Sequence, residues 1–253
     1  MRTVVIALVA GCGRFGFGDR VVVDAAPIAL DAPTRDGVAL DAPPVIPGLL
    51  ARYSFEDDPA DGVIDDTSGG GHWAICTSCP TWIAGHRGMA AAFDGTQLAR
   101  VQYGSWLATP TSFSYAAWIR IDMVVDQVAF GRPYASGALD AWDLVAWSDG
   151  TGTCLETVDA SGNRRNDCGP MLAPSTWHHV AARWDGQATA LFIDGMRAAS
   201  TPATIAEIDA HDAIIGADEN GGTPAYFWHG AVDELELYDR ALTDVEISTL
   251  AAR

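Results

Sequence analysis

The chain has 253 residues, 49% of them apolar, which suits one large domain with a sizeable core, or one domain plus a tail. Its 33 acidic residues against 15 basic ones give a net charge of −18, which argues against nucleic acid and against charge-driven binding to an anionic membrane. All fifteen basic residues are arginine, so lysine-based chemistry is excluded, and the acidic balance fits solubility or hard cations held by carboxylates.

The N-terminus reads as an address. In "MRTVVIALVAGC", Arg2 precedes an apolar run from Val4 to Ala10 that ends in small residues before Cys12. This is the layout of an export signal, with an apolar stretch at the short end of the ~7–15 residue range. It is too short to span a bilayer, which takes ~20 apolar residues, and no other stretch is a candidate span. Val9-Ala10-Gly11-Cys12 resembles the bacterial lipobox, and that resemblance implies removal of residues 1–11 and lipid on Cys12. The alternative is an ordinary, shortened secretion signal. With lipid, the protein is expected to be exported and anchored to a bacterial membrane, at the outer membrane or cell surface.

Residues 12–47 change character. "VVVDAAP", "IALDAP" and "VALDAP" follow one another with few large apolar side chains. Such a Pro/Ala/Asp-rich segment buries too little to offset chain entropy, so a tether is expected, unless one copy adds an edge strand to the domain. Residues 48–253 form the expected folded domain.

Five cysteines are an odd number for an exported chain, and a lipid on Cys12 would leave four. "CLETVDASGNRRNDC" reads as a hairpin whose centre, Ser161, lies midway between Cys154 and Cys168. The two would face each other across it, within disulfide reach. That leaves Cys76 with Cys79 as a small loop staple. A zinc ribbon would need a second close pair, and the spacing of thirteen denies it.

From Pro47 onward, short β-branched and aromatic runs alternate with Gly, Asp, Asn and Pro, the pattern of an all-β sandwich or barrel. One helix is expected at the end, where Thr243 and Glu246 form a capping box and Val245, Ile247 and Leu250 supply an apolar side. "WHHVAARWDGQATALFIDG", from Trp177 to Gly195, reads as two strands with Asp-Gly turns and a third strand following. Alternation puts His178 and His179 on opposite faces, so the pair cannot hold one metal, and architectural roles are expected for both.

Seven segments in order carry a resemblance. They are "YSFED" at Tyr53, "DDTSGGGHWA" at Asp65, "GMAAAFDGTQLARV" at Gly88, "SFSYAAWIRI" at Ser112, the Trp177 stretch, "IIGADENGG" at Ile214 and "FWHGAVDELELYDRALTDVEI" at Phe227. Together the chain resembles the LamG-like, concanavalin A-like jelly-roll superfamily of lectins and glucanases. The resemblance implies two antiparallel sheets face to face, a final strand closing against the first, and loops at the rim.

It also directs a search for chemistry. Glucanase relatives carry a Glu-x-Asp-x-Glu strand, and retaining hydrolysis needs two carboxyls ~5–5.5 Å apart. "DELEL" is the nearest match, but it lacks the central Asp and falls in the closing strand, so no catalysis is expected. "EDDPADGVIDD" packs six carboxylates into Glu56–Asp66. Many members of the superfamily hold a calcium ion between this region and the closing strand. Carried over, the resemblance implies Asp66 and Asp233 as ligands with Asp57 beside them, and carbonyls of residues 69–72 completing the shell. The alternative is turn aspartates bonded to local backbone. Of nine tryptophans, Trp118 and Trp184 are expected in the core. Trp73, Trp106 and Trp228 are the loop candidates for stacking on a sugar, the alternative being that loop tryptophans cover the ends of the sandwich. The expected function is therefore non-catalytic recognition of a glycan or cell-wall polysaccharide, with calcium as the one expected cofactor. The rivals are a module binding another surface protein, and a glycoside hydrolase or lyase with an atypical acid pair.

Overall fold

A computed structural model describes residues 46–56, 61–107, 111–134, 139–159, 161–205 and 210–253. Cys12, almost all of the expected tether and Asp57 lie outside the described residues. The described part is all-β with one short helix. Its elements run β1 (Leu49–Tyr53), β2 (Val63–Ile64), β3 (Ala74–Ile75), β4 (Thr81–Ala84), β5 (Met89–Asp94), β6 (Ala99–Val101), β7 (Phe113–Ile121), β8 (Gln127–Tyr134) and β9 (Leu139–Trp147). They continue with β10 (Gly152–Val158), β11 (Arg164–Cys168), β12 (Trp177–Trp184), β13 (Ala188–Ile193), β14 (Met196–Pro202), β15 (Ala213–Ile215), β16 (Asp218–Asn220), β17 (Thr223–Ala225), β18 (His229–Tyr238) and α1 (Asp244–Ala251). None of the described helices is long and apolar enough to cross a membrane.

Two eight-stranded antiparallel sheets form the sandwich. The first runs β14-β13-β12-β7-β18-β5-β4, with β1 also paired to β18; the second runs β11-β10-β9-β8-β15-β6-β3-β2. The closing strand does meet the first one, Tyr53 opposite Leu235 and Arg52 opposite Glu236. Alternation along the strands builds the core. On β7, Phe113, Tyr115, Ala117, Ile119 and Ile121 face inward to meet Phe130, Trp142 and Leu144 of the second sheet. Burying a side chain of that size stabilises by about 1.5–3 kcal/mol, so this layer dominates the fold.

The outer face of the first sheet has its own small core. Ala116, Ala181 and Ala190 leave room for α1, whose Ile247 and Leu250 pack there with Phe192 and Tyr238. The capping box forms as the sequence predicts, but Val245 is 74% exposed and takes no part in the apolar side. Ile46 is buried in the same cluster, and Arg240 Nε donates to the Pro47 carbonyl at 2.9 Å, so the packed domain includes both residues ahead of 48.

The β12–β14 meander turns at Asp194-Gly195, where both residues have positive φ (50° and 77°), as a tight two-residue hairpin turn demands. His179 is buried, which pushes its imidazole down to about 4, and its backbone amide donates to Asp194 at 3.0 Å. The His178 ring meets the same carboxylate at 2.9 Å. Both histidines are thus tied to one turn aspartate. Trp118 departs from the expected core position: it lies on the outer face of the first sheet, half-buried, with the His86 ring stacked on it at 3.4 Å.

Both disulfides are present, Cys76–Cys79 and Cys154–Cys168. Cys154 stands directly opposite Cys168 on the β10–β11 hairpin, with Cα atoms 4.1 Å apart. Replacing both hairpin cysteines by serine is expected to lower unfolding free energy by about 3 kcal/mol, the loop-entropy value for about 15 residues. Urea denaturation of the oxidised protein and the double variant would measure it, and equal midpoints would contradict it.

Candidate functional site

The two described calcium ligands implied by resemblance, Asp66 and Asp233, have different surroundings. Asp66 accepts backbone N–H groups from Arg52 (2.9 Å), Ser68 (2.8 Å) and His72 (2.9 Å). Burial works against its charge, but these bonds outweigh it and hold the carboxyl below its usual range. It pins the turn after β1, the role open to any turn aspartate. Asp233 is fully buried, beside a bulge at Glu234 (φ 48°) in the closing strand. One of its oxygens accepts the Arg87 amide at 2.9 Å and the other has no hydrogen-bond partner. Burial first, then Glu234 and Glu56, push its carboxyl up to about 7. Glu234 and Glu236 share a side, as alternation predicts, but both are engaged by Arg52, at 3.0 Å and 3.4 Å. They form an ion-paired brace between β1 and β18.

The three candidate tryptophans also divide. Trp73 is 55% exposed. Trp106 stacks on His72 at 3.7 Å and packs against the main core. Trp228 is completely buried in that core and is not available to a ligand, which corrects the expectation of a loop tryptophan. The residue sits at the entry to β18, where the sandwich interior takes its indole.

A site that the sequence does not announce lies on the outer face of the second sheet. Asp140 and Asp143 on β9 and Glu156 on β10 bring carboxylate oxygens within 4.8 Å of one another. A spacing of three along a regular strand would put the two aspartates on opposite faces. The register shows how they meet: Pro133 of β8 pairs with Asp140, but Arg132 pairs with Trp142, so Ala141 is an extra residue in β9. Ala141 and Trp142 both turn into the core, and Asp140 and Asp143 both turn out of it. Asp143 stands opposite Glu156 on one side and Gly131 on the other. A Cβ on Gly131 would lie 2.9 Å from that of Asp143, so only glycine leaves this place open.

Asp218, leaving β15 through the positive-φ Gly216, brings a fourth carboxyl that hydrogen-bonds Asp140. Arg164 on β11 is ion-paired with Glu156, and the Asn166 amide, turned to donate, reaches the other Glu156 oxygen at 3.0 Å. Asp140, Asp143 and Asp218 each keep one buried oxygen without a hydrogen-bond partner. These groups line an open pocket together with Val128, Val145, Trp147, Glu219, Asn220 and Tyr226. Val128 and Val145 form an outward apolar patch over the hairpin disulfide, with Trp147 packed against it. Tyr226 is 41% exposed, and the Trp147 indole N–H has no partner.

Four carboxyls against one paired arginine strongly disfavour full ionisation. Burial, then Asp218 and Glu156, push Asp140 up to about 9. Burial, reinforced by Asp140, raises Asp143 well above the carboxylate range. Burial also raises Asp218, and it raises Glu156 in spite of Arg164. Without another positive charge the cluster holds protons, and its members act as donors as well as acceptors.

The sequence does contain a trace of this site. Asp and Glu are disfavoured in strand interiors, yet "LDAWDLVAW" and "CLETV" place three there. What no spacing rule supplies is the one-residue bulge that brings them together.

Residues 90–248, more than half of the chain, match the family described as the concanavalin A-like lectin/glucanases superfamily. No curated protein matches the chain by sequence. Among solved structures, it is similar to domain 4 of an extracellular GH43 arabinanase from Geobacillus stearothermophilus, in complex with arabinotriose. Identity there is 20% and the TM-score 0.64, over 80% of this chain and 98% of that one. It is also similar to Trypanosoma rangeli sialidase in complex with the inhibitor DANA, at 17% identity and TM-score 0.62, over 83% of this chain and 33% of that one. A third likeness is the binding domain of botulinum neurotoxin DC in complex with SialylT, at 12% identity and TM-score 0.59, over 81% and 51%. At these identities the likeness is one of fold.

The raised carboxyls give stability a sign with pH. The unfolded chain releases the Asp140 proton near pH 4, and the folded chain near 9. Its stabilising contribution is complete below the lower value and is lost as pH rises through the higher one. The Asp233 effect ends near 7, and His179 acts in the opposite sense only below about 6.5. Between pH 7.5 and 9, in chelator, unfolding free energy is expected to fall by at least about 1 kcal/mol per pH unit, with Asp143 acting in the same sense, and Asp140→Asn to reduce the slope. Urea melts across that range would show it, and a flat wild-type profile would contradict it.

Proposed function

We propose that this chain, which belongs to the concanavalin A-like lectin/glucanase superfamily, is a non-catalytic recognition module that binds glycan in the pocket on its second sheet. The observation that carries the reading is the pairing of two surfaces in one pocket. Val128, Val145, Trp147 and Tyr226 supply an apolar floor and aromatic edges, and buried carboxyls beside them keep oxygens without partners. A pyranose or furanose ring has the matching faces, apolar C–H on one side and hydroxyls at the edge. The arabinanase domain and the neurotoxin domain, each in complex with a saccharide, lend this support as folds that carry such ligands.

On this reading the N-terminal segment exports the chain, a lipid on Cys12 anchors it to a bacterial membrane, and residues 12–47 hold the domain away from that surface. The ligand is then a surface or cell-wall polysaccharide. Calcium is part of the proposal as a helper of binding.

The same carboxyls favour a second reading, a glycoside hydrolase with an atypical acid pair. Oxygens within 4.8 Å of one another stand slightly closer than the ~5–5.5 Å of a retaining pair. Four crowded carboxyls and the Arg164 clamp on Glu156 suit a fixed polar wall better than an acid and nucleophile flanking a bond.

A glycan array probed with the protein, in calcium and in chelator, tests both readings. Binding is expected, with affinity falling about tenfold or more in Trp147→Ala and Tyr226→Ala. Release of reducing sugar from a bound glycan, lost in Glu156→Gln, would replace the binding reading with the hydrolase. A folded protein that binds no glycan would leave a protein partner as the leading account.

A further inference from the structure

We propose that Asp140, Asp143 and Glu156, with Asp218 at their edge, form a divalent-cation site selective for calcium on the outer face of the second sheet. This location is distinct from the loop-and-closing-strand position that family resemblance implies.

Four observations carry it. Asp143 is 3% exposed and Asp140 2% exposed; both residues line the pocket, and each has a buried oxygen with no hydrogen-bond partner. Buried polar atoms are nearly always satisfied, so orphaned oxygens on neighbouring carboxyls point to a missing ligand. The donor set is oxygen alone, which selects a hard cation over zinc or copper. The size also fits. Calcium takes oxygens at 2.3–2.6 Å, so ligands on opposite sides of it stand up to about 5 Å apart, and this cluster spans at most 4.8 Å. Magnesium keeps several waters and is usually held by one or two carboxylates, so a set of three or four protein carboxyls favours calcium. Finally, the charge is unbalanced: Arg164, already ion-paired with Glu156, is also the cation acting on Asp140, Asp143 and Asp218, so one guanidinium faces four carboxyls. A divalent ion supplies the positive charge in a place where Gly131 keeps the backbone clear.

The alternative position fits less well. Both oxygens of Asp66 are taken by backbone amides, and among the described residues three metal-ligating side chains converge only at the second-sheet cluster. The proposal does not depend on the glycan reading, since it is tested without sugar.

The experiment is thermal unfolding of the full chain in chelator, in 1 mM calcium and in 1 mM magnesium, with terbium luminescence excited through tryptophan as a second readout. Calcium is expected to raise Tm by about 5 °C, with a smaller effect of magnesium, as for a ligand about a hundredfold above its Kd. Terbium emission, sensitised by Trp147 and Trp142, is expected to appear and to be displaced by calcium. Asp143→Asn should abolish both responses and Asp233→Asn should keep both. If Asp143→Asn fails to fold, the wild-type calcium shift and terbium displacement, retained in Asp233→Asn, still decide. No calcium shift and no terbium emission in the wild type would overturn the proposal. So would responses lost in Asp233→Asn and kept in Asp143→Asn.

Discussion

One extra residue in β9 sets the character of this molecule. A strand alternates its side chains with period two, and Ala141 breaks that phase once. Downstream of it, Trp142 joins Phe113, Tyr115 and Phe130 in an aromatic cluster, with ring centroids 5.1–5.3 Å from Trp142. On the other side, two aspartates that would have parted are turned to one face. The same irregularity therefore anchors the core and assembles the pocket. A bulge is tolerated here because the strands on either side stay paired, β8 with β9 and β9 with β10.

The pocket and the core are coupled through charge as well as geometry. The carboxyls sit directly over the sandwich interior, where the dielectric is low and an unpaired charge is costly. They are kept neutral by protons, by Arg164, or by a cation. Each solution changes what the pocket presents: protonated acids donate to sugar hydroxyls, and a bound cation accepts their oxygens as ligands. The proposed recognition and ion binding would thus be two consequences of one electrostatic problem, with Trp147 and Tyr226 as the apolar side on which a ring would rest. The first sheet solves its charges locally, by pairing Arg52 with Glu234 and Glu236 and Arg183 with Asp244.

The sequence carried most of the fold. Punctuated alternation, two Asp-Gly turns, the Thr243–Glu246 box and the symmetric spacing of Cys154 and Cys168 all correspond to structure, because each depends on neighbours close in the chain. It carried much less of the site. Trp228 looked like a loop residue because it precedes a strand, but its indole turns inward. Asp66 looked like a ligand by position in the family pattern, and its oxygens accept three backbone amides of the turn. The second-sheet carboxyls come from β9, β10 and β16, and their meeting depends on a register shift that local pattern does not encode.

The most direct measurement is a map of backbone amide shifts in the isotopically labelled protein as calcium and then a bound oligosaccharide are added. Perturbations centred on β9, β10 and β16, around Asp140, Asp143, Glu156 and Asp218, are what the pocket on the second sheet requires. Perturbations confined to Glu56, Arg87 and Asp233, with β9 and β10 unmoved, would contradict it and return the site to the rim of the sandwich.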